Sequence, residues 1–174
     1  MSTVREIKLE DIEEASLLSE RTMVDSWERH EKDYYPRRAL EHDISSYSSE
    51  YYKSQLEDPS SFGFVAEENG KLVGIASGRI LGIPGLARLG WIGVHPEHQR
   101  SGVGKALMKK VLEHCTKKGC HKVTLYTLPV LIPAINLYLR FGFVPEAYLR
   151  EEWWAVDFIK MSLWLKKGKE SRSH

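Results

Sequence analysis

The stretch whose reading decides the fold is VHPEHQRSGVGKALMKKVL, residues 94–112. It begins as the end of an apolar strand, turns at Pro96, passes Gly102 and Gly104, and runs into a helix. Apolar residues follow at Val103, Ala106, Leu107, Val111, Leu112 and Cys115. Lys105, Lys109, Lys110, Glu113, Lys117 and Lys118 take the other face. This is the 3.6-residue period of a helix lying on a sheet, and Gly119 ends it as a left-handed C′ residue. A strand, a glycine loop and a helix N-terminus bring unpaired N–H groups and the positive end of the helix dipole to one spot, an anion site. Two standard nucleotide loops fail in detail. The phosphate loop G-x-x-x-x-G-K-[ST] needs a glycine five residues before Gly104, where Gln99 stands, and a hydroxyl where Ala106 stands, and G-x-G-x-x-G needs glycine at Leu107. A bare helix start with structural glycines is the other reading of the loop alone.

Working outward, Val4–Leu9 alternates as a strand, and Glu10–Asp11 opens an acidic amphipathic helix through Val24. A second helix is expected over Arg38–Leu56. FGFVAEENGKLVGIASGRI, residues 62–80, reads as a hairpin about an Asn69-Gly70 turn. A turn at Ile83–Gly85 leads to a third strand over Ala87–Val94, so the quoted loop leaves an antiparallel meander. Further on, KVTLYTL is a strand, Ala134–Phe141 a short helix opened by Pro133 and stopped by Gly142, and FVPEAYL and AVDFIKMSLWL the last two strands. The order β-α-α-β-β-β-α-β-α-β-β predicts an α/β chain, a mixed, mostly antiparallel sheet with helices on both faces. Residues 1–166 are expected to form one domain and 167–174 a polar, disordered tail.

No apolar run approaches a membrane span, and the first residues lack an apolar leader core, so a cytoplasmic protein is the default expectation. Cys115 and Cys120 fit neither a C-x-x-C motif nor a disulfide framework; a reduced, buried thiol is expected at Cys115. His95, Glu97 and His98 lack a third spaced ligand for a metal, and none is expected. The net charge of +1 conceals a polarity: residues 1–70 hold 8 Lys/Arg against 17 Asp/Glu, and residues 71–174 hold 17 against 7. Either solvated faces segregate by accident, or one half receives a cation and the other an anion. The basic half carries no base-stacking motif, and the acidic half repels phosphate, so no nucleic-acid partner is expected.

Gln99-Arg100-Ser101-Gly102-Val103-Gly104 resembles the pyrophosphate-binding motif Q/R-x-x-G-x-G/A of the GNAT superfamily of N-acetyltransferases. AINLYLRFGF, residues 134–143, resembles the family's A-x-x-L-Y-x-x-x-G-F block in the right order and spacing. The resemblance covers roughly residues 3–165 and is weakest over residues 25–60. It implies acetyl-CoA as donor, with Gln99 and the backbone of Arg100, Ser101, Gly102, Val103, Gly104 and Lys105 at the pyrophosphate. It also implies a central sheet splayed into a V, where backbone of Ile92, Gly93 and Val94 pairs with the pantetheine arm and a backbone N–H near Val94 holds the oxyanion.

The same resemblance makes Tyr138 the general acid that protonates the departing sulfur. Two positions depart from the family pattern. Arg88 occupies the usual place of the glutamate base, leaving Glu151, Glu152, Asp157, a water chain or an acid from residues 25–50 as candidates. Leu131 replaces an asparagine common in relatives, and Asn136, one turn on, is the candidate substitute for its cofactor contact. The expected function is transfer of an acetyl group from acetyl-CoA to a primary amine, on a small molecule or a peptide, by direct attack. A non-catalytic acyl-CoA sensor or scaffold of the same fold is the alternative, favoured by Arg88 and opposed by Tyr138. A nucleotide-phosphate binder is a distant third. Relatives often pair through their C-terminal strands, so the chain is expected as a monomer or homodimer.

Overall fold

The computed structural model describes residues 1–82 and 85–165; Ile83, Pro84 and the tail expected at 167–174 lie outside the described residues. Seven strands form one sheet: β1 (Thr3–Glu6), β2 (Ser61–Glu68), β3 (Lys71–Ile80), β4 (Leu86–Val94), β5 (Lys122–Thr127), β6 (Val144–Leu149) and β7 (Phe158–Trp164). Their order across the sheet is β1-β2-β3-β4-β5-β7-β6, and only the β4–β5 pair is parallel. Between them stand α1 (Ile12–Ser26), α2 (Arg37–Ser46), α3 (Ser49–Glu57), α4 (Val103–Lys117) and α5 (Ile132–Arg140). No helix among the described residues is long and apolar enough to cross a membrane.

The hairpin turns as its sequence requires: Asn69 and Gly70 both have positive φ, 52° and 75°, the hand of a two-residue hairpin. Gly119 closes α4 with φ 80°. The helix expected over Arg38–Leu56 is two helices instead. Tyr47 leaves the helical region with ψ 45°, and the Ser48 hydroxyl accepts the Tyr51 N–H to cap a fresh start. Ser48 ends one helix and begins another because its short side chain serves an orphan N–H better than it serves a helix interior. A second departure follows α1, where Trp27–Glu31 widens to a π-helical turn and the Lys32 N–H reaches the Trp27 carbonyl.

Two apolar layers sandwich the sheet. On one side, Val103, Leu107, Met108, Val111 and Cys115 of α4 join Phe64, Val73, Leu89, Val123, Leu125 and Met161 in one buried cluster. On the other, Ile12, Ala15 and Leu18 of α1 and Tyr52 of α3 pack with Val65 and Ile75. Both cysteines are buried and free, and burial pushes the Cys115 thiol up to about 12, so it is inert at neutral pH.

The β3–β4 ladder is bulged. Gly78 faces Leu89 and Ser77 faces Trp91, leaving Gly90 as the extra residue. Its carbonyl accepts the Tyr47 hydroxyl at 3.0 Å, which ties the end of α2 to the bulge. Gly78 makes this possible, because a Cβ there would stand 2.3 Å from the Arg88 carbonyl oxygen and 2.6 Å from Phe62. Gly78→Ala is therefore expected to cost about 1–3 kcal/mol and to lower Tm by roughly 2–12 °C in thermal denaturation. Gly82→Ala, where a Cβ meets nothing within 4 Å, should leave Tm unchanged.

Candidate active site

Strands β4 and β5 share only three rungs, Leu86 with Lys122, Ala87 with Val123 and Arg88 with Thr124. From Leu89 onward β4 follows β3, while β5 follows β7 to Thr127. The sheet opens there into a V. The His95 N–H donates to Val73 on the β3 side, so strand alternation turns the backbone groups of Val94 and Ile92 into the opening and those of Gly93 toward β3. Gly93 thus belongs to the intact ladder, pairing with Ile75. The Val94 carbonyl accepts the Gln99 side chain at 3.2 Å, fastening the loop to the strand end.

That loop enters α4 through two residues of left-handed backbone, Arg100 at φ 60° and Gly102 at φ 89°. Gly102 is the N-cap and offers no side chain to the first turn. Among the described residues the N–H groups from Gln99 to Lys105 find no acceptor, and the first loop-to-helix bond is from Ala106 to the Gly102 carbonyl. The Ser101 hydroxyl is turned back onto the His98 carbonyl. His98 lies 3.0 Å from Glu68, and His95 accepts the Glu97 N–H, so both histidines are spent on holding the loop. Arg100, Lys105 and Lys109 are exposed. A row of unpaired N–H groups at a helix N-terminus beside exposed cations fits a polyphosphate. Gly104 lies against the V: a Cβ there would be 3.6 Å from both Val94 Cγ2 and Leu137 Cδ2. Thr127 Oγ1, at the end of β5 where β4 has gone, is buried without a partner among the described residues. An extended polar chain through the opening fits that orphan and the free edge of β4.

Tyr138 points inward from α5, 7% exposed, its ring 6.0 Å from that of Phe143. Burial pushes its pKa up to about 12, so the hydroxyl is protonated at neutral pH. Asn136 lies roughly 200° around the helix from Tyr138, on the exposed side, so the structure does not bring the two together.

Across the sheet from α4 lies a cluster of aromatic rings. Tyr35, Leu128, Val156 and Phe158 pack with Trp27, Tyr34, Tyr126 and Trp154. Two half-buried acids stand beside it, both against Tyr35. Asp43 Oδ2 accepts the Tyr35 hydroxyl at 2.9 Å, and Glu31 closes the π-helical turn. Burial raises both carboxyl pKa values, and Asp43 raises that of Glu31 further. Neither makes an ion pair within 4.0 Å among the described residues. The other candidate bases are exposed or already engaged. Glu151 and Glu152 are exposed. Asp157 is consumed in holding the β6–β7 loop, accepting the Glu151 N–H and the Tyr148 hydroxyl, each at 2.8 Å, which lowers its pKa. Sequence reasoning reached Glu31 and Asp43 only as members of an acidic segment. The signal that marks them is burial beside tyrosines, which needs the fold.

A mixed sheet opened between its fourth and fifth strands, with a glycine loop entering a helix beside the opening, is the acyl-CoA N-acyltransferase fold. A family model described as the acetyltransferase (GNAT) family matches residues 23–143, and the chain belongs to that family. The ribosomal-protein-S18-alanine N-acetyltransferase of Escherichia coli superposes with a TM-score of 0.74 at 22% identity, covering 98% of this chain and 97% of that one. The PaiA N-acetyltransferase of Thermoplasma acidophilum, solved in complex with coenzyme A, gives 0.76 at 18% identity over 92% and 98%. At such identities these likenesses define the fold alone. A mycothiol acetyltransferase of Arthrobacter sp. (strain FB24) is 34% identical over 90 residues, which is 49% of this chain and 28% of that protein. The match therefore spans under a third of that relative's length.

If the loop holds the pyrophosphate, Gly104→Val should weaken coenzyme A binding at least about tenfold by filling the cradle. Gly104 has an ordinary helical backbone, so the variant should fold. Isothermal titration with coenzyme A reads this directly; wild-type affinity in the variant would remove the loop from the site.

Proposed function

We propose that this chain is an acetyl-CoA-dependent N-acetyltransferase that acts on a primary amine by direct attack, with Tyr138 as general acid. The observation that carries the reading is the pairing of the β4–β5 opening and its unpaired loop N–H groups with a buried, protonated tyrosine. When bound, acetyl-CoA supplies an activated acetyl thioester. The loop from Gln99 to Lys105 binds its phosphates through N–H groups. The open edge of β4 at Ile92 and Val94 aligns its arm and offers the Val94 N–H to the oxyanion.

The amine must be uncharged to attack. Asp43 and Glu31 draw a cationic amine toward the aromatic cluster and take up its proton, directly or through water. Their raised pKa values suit a base, since a carboxylate stabilised by an ion pair holds a proton less readily. The charge polarity of the sequence follows, an acidic half for the amine and a basic half for the phosphates. Arg88 at the usual base position is the feature that favours a non-catalytic acyl-CoA sensor. Two half-buried acids beside the aromatic cluster and the retained tyrosine favour the enzyme.

Tyr138→Phe keeps the ring and removes the hydroxyl. Coenzyme A should still bind, and kcat should fall by roughly 10²–10⁴-fold. The loss should shrink for thioesters of more acidic thiols, whose sulfur needs less protonation. An equal loss for good and poor leaving groups would take Tyr138 out of the chemistry.

Asp43→Asn separates function from stability. A carboxyl whose folded pKa is raised binds more protons folded than unfolded. Its penalty is absent below the unfolded value of 3.8 and grows as pH rises through the folded value. Removing that charge while keeping an acceptor for Tyr35 should raise Tm at pH 7 and lower kcat/KM for the amine by at least about tenfold. Unchanged amine kinetics would show that Asp43 takes no part.

A further inference from the structure

Arg88 stands on β4 where the strand leaves β5, turned away from Ala87 and Leu89, which are buried against α4. Its guanidinium carbon lies 4.7 Å from the centre of the Tyr126 ring and 5.8 Å from that of Trp153. The two rings meet edge to face, 5.2 Å apart. Contact with the two rings restrains the guanidinium without using up its N–H donors. Arg79, opposite Arg88 in the β3–β4 ladder, reaches Asp58 at 3.7 Å. Arg88 reaches no carboxylate within 4.0 Å among the described residues, and its side chain donates no hydrogen bond there. A half-buried guanidinium, oriented by two rings and left without an acceptor, is a group set for an incoming anion.

The acids beside the same aromatic cluster make this selective. Tyr126 packs against the cluster that holds Tyr35, and the Tyr35 hydroxyl donates to Asp43. The cluster is therefore flanked by both signs, with Asp43 and Glu31 for a cation and Arg88 for an anion. A polycationic amine would set a positive charge against Arg88, and like charges at close range work against binding. A phosphate monoester would bring two negative charges to one guanidinium with carboxylates nearby. A single carboxylate matches the fork of one arginine.

We propose that Arg88 is a specificity-determining residue that binds a carboxylate of the acceptor, which makes the substrate class a zwitterion of the amino-acid type. This rests on the transferase reading above. The amine lies toward Asp43 and Glu31, and the carboxylate lies toward Arg88 over Tyr126 and Trp153. The residue that displaces the family's usual base thus serves recognition, and the proton passes to the acids of the first half.

Free-thiol release from acetyl-CoA tests this with α-amino acids and ω-amino acids of increasing length. Each is compared with its carboxamide and its decarboxylated amine, and an aminoalkylphosphonate series runs beside them. The best acid should exceed its carboxamide in kcat/KM by about 10- to 100-fold, the worth of one charge-assisted bidentate contact. Arg88→Gln should collapse that ratio toward one, and Arg88→Lys should keep part of it. Carboxamides as good as acids in the wild type would overturn the assignment. So would an equal loss on acids and carboxamides in Arg88→Gln, which would make Arg88 a prop for the Tyr126–Trp153 corner. Phosphonates preferred over acids would replace the carboxylate by a phosphate-type anion. Silence in every series while acetyl-CoA still raises Tm would sink the transferase reading, and this assignment with it.

Discussion

Everything at the site depends on where β4 and β5 part company. Three parallel rungs hold them, and after Arg88 and Thr124 the two strands diverge. A free strand edge inside a sheet is a liability, because its N–H and C=O groups have lost their ladder partners. Val94 shows how this chain handles it: its carbonyl is met by the Gln99 side chain, while its N–H stays turned to the opening. The bulge at Gly90 swings the end of β4 along β3, and the clearance at Gly78 lets the two strands approach closely enough to do so. Loop, helix dipole and open edge consequently converge without any one of them being unusual by itself.

On the opposite face, strain concentrates where the aromatic rings are presented. Glu151, Trp154 and Ala155 in the β6–β7 loop all have positive φ, at 47°, 64° and 54°. For side chains of this size each costs of the order of 1 kcal/mol and persists only where the surroundings fix it. Here they do. Asp157 ties the Glu151 N–H and the Tyr148 hydroxyl, its carbonyl takes the Tyr34 hydroxyl, and Trp153 packs edge-on to Phe158. The return is a pair of indoles on that face, Trp153 against Arg88 and Trp154 against His42 and Arg38.

The strands, α4 and the glycine loop before it were legible because their signals are local. Asn-Gly sets a hairpin, Gly119 closes a helix, and a 3.6-residue stripe needs no partner to be recognised. The break at Ser48 was missed because serine reads as a tolerable interior residue until its hydroxyl is seen capping Tyr51. The π turn at Trp27–Glu31 has no composition of its own. Tyr138 was legible only through a family motif, and its burial was not. Arg88 registered as the absence of a glutamate. What it contacts, Tyr126 and Trp153, lies 38 and 65 residues away along the chain, beyond any pattern of spacing. Among the acids of residues 25–50, Asp25 is neutralised by Arg29, and Glu28 and Asp33 are exposed. Only packing distinguishes Glu31 and Asp43 from them.

The short β4–β5 seam also divides the sheet mechanically. β1 to β4 form one leaf and β5, β7 and β6 another, with three rungs as the hinge. Helix α4 is the clasp, its apolar stripe in one cluster with Phe64, Val73 and Leu89 of the first leaf and Val123, Leu125 and Met161 of the second. Any widening of the seam must pry that stripe from one leaf or the other. A molecule lodged in the opening beyond the rungs would therefore bear on both leaves at once, with α4 holding them together.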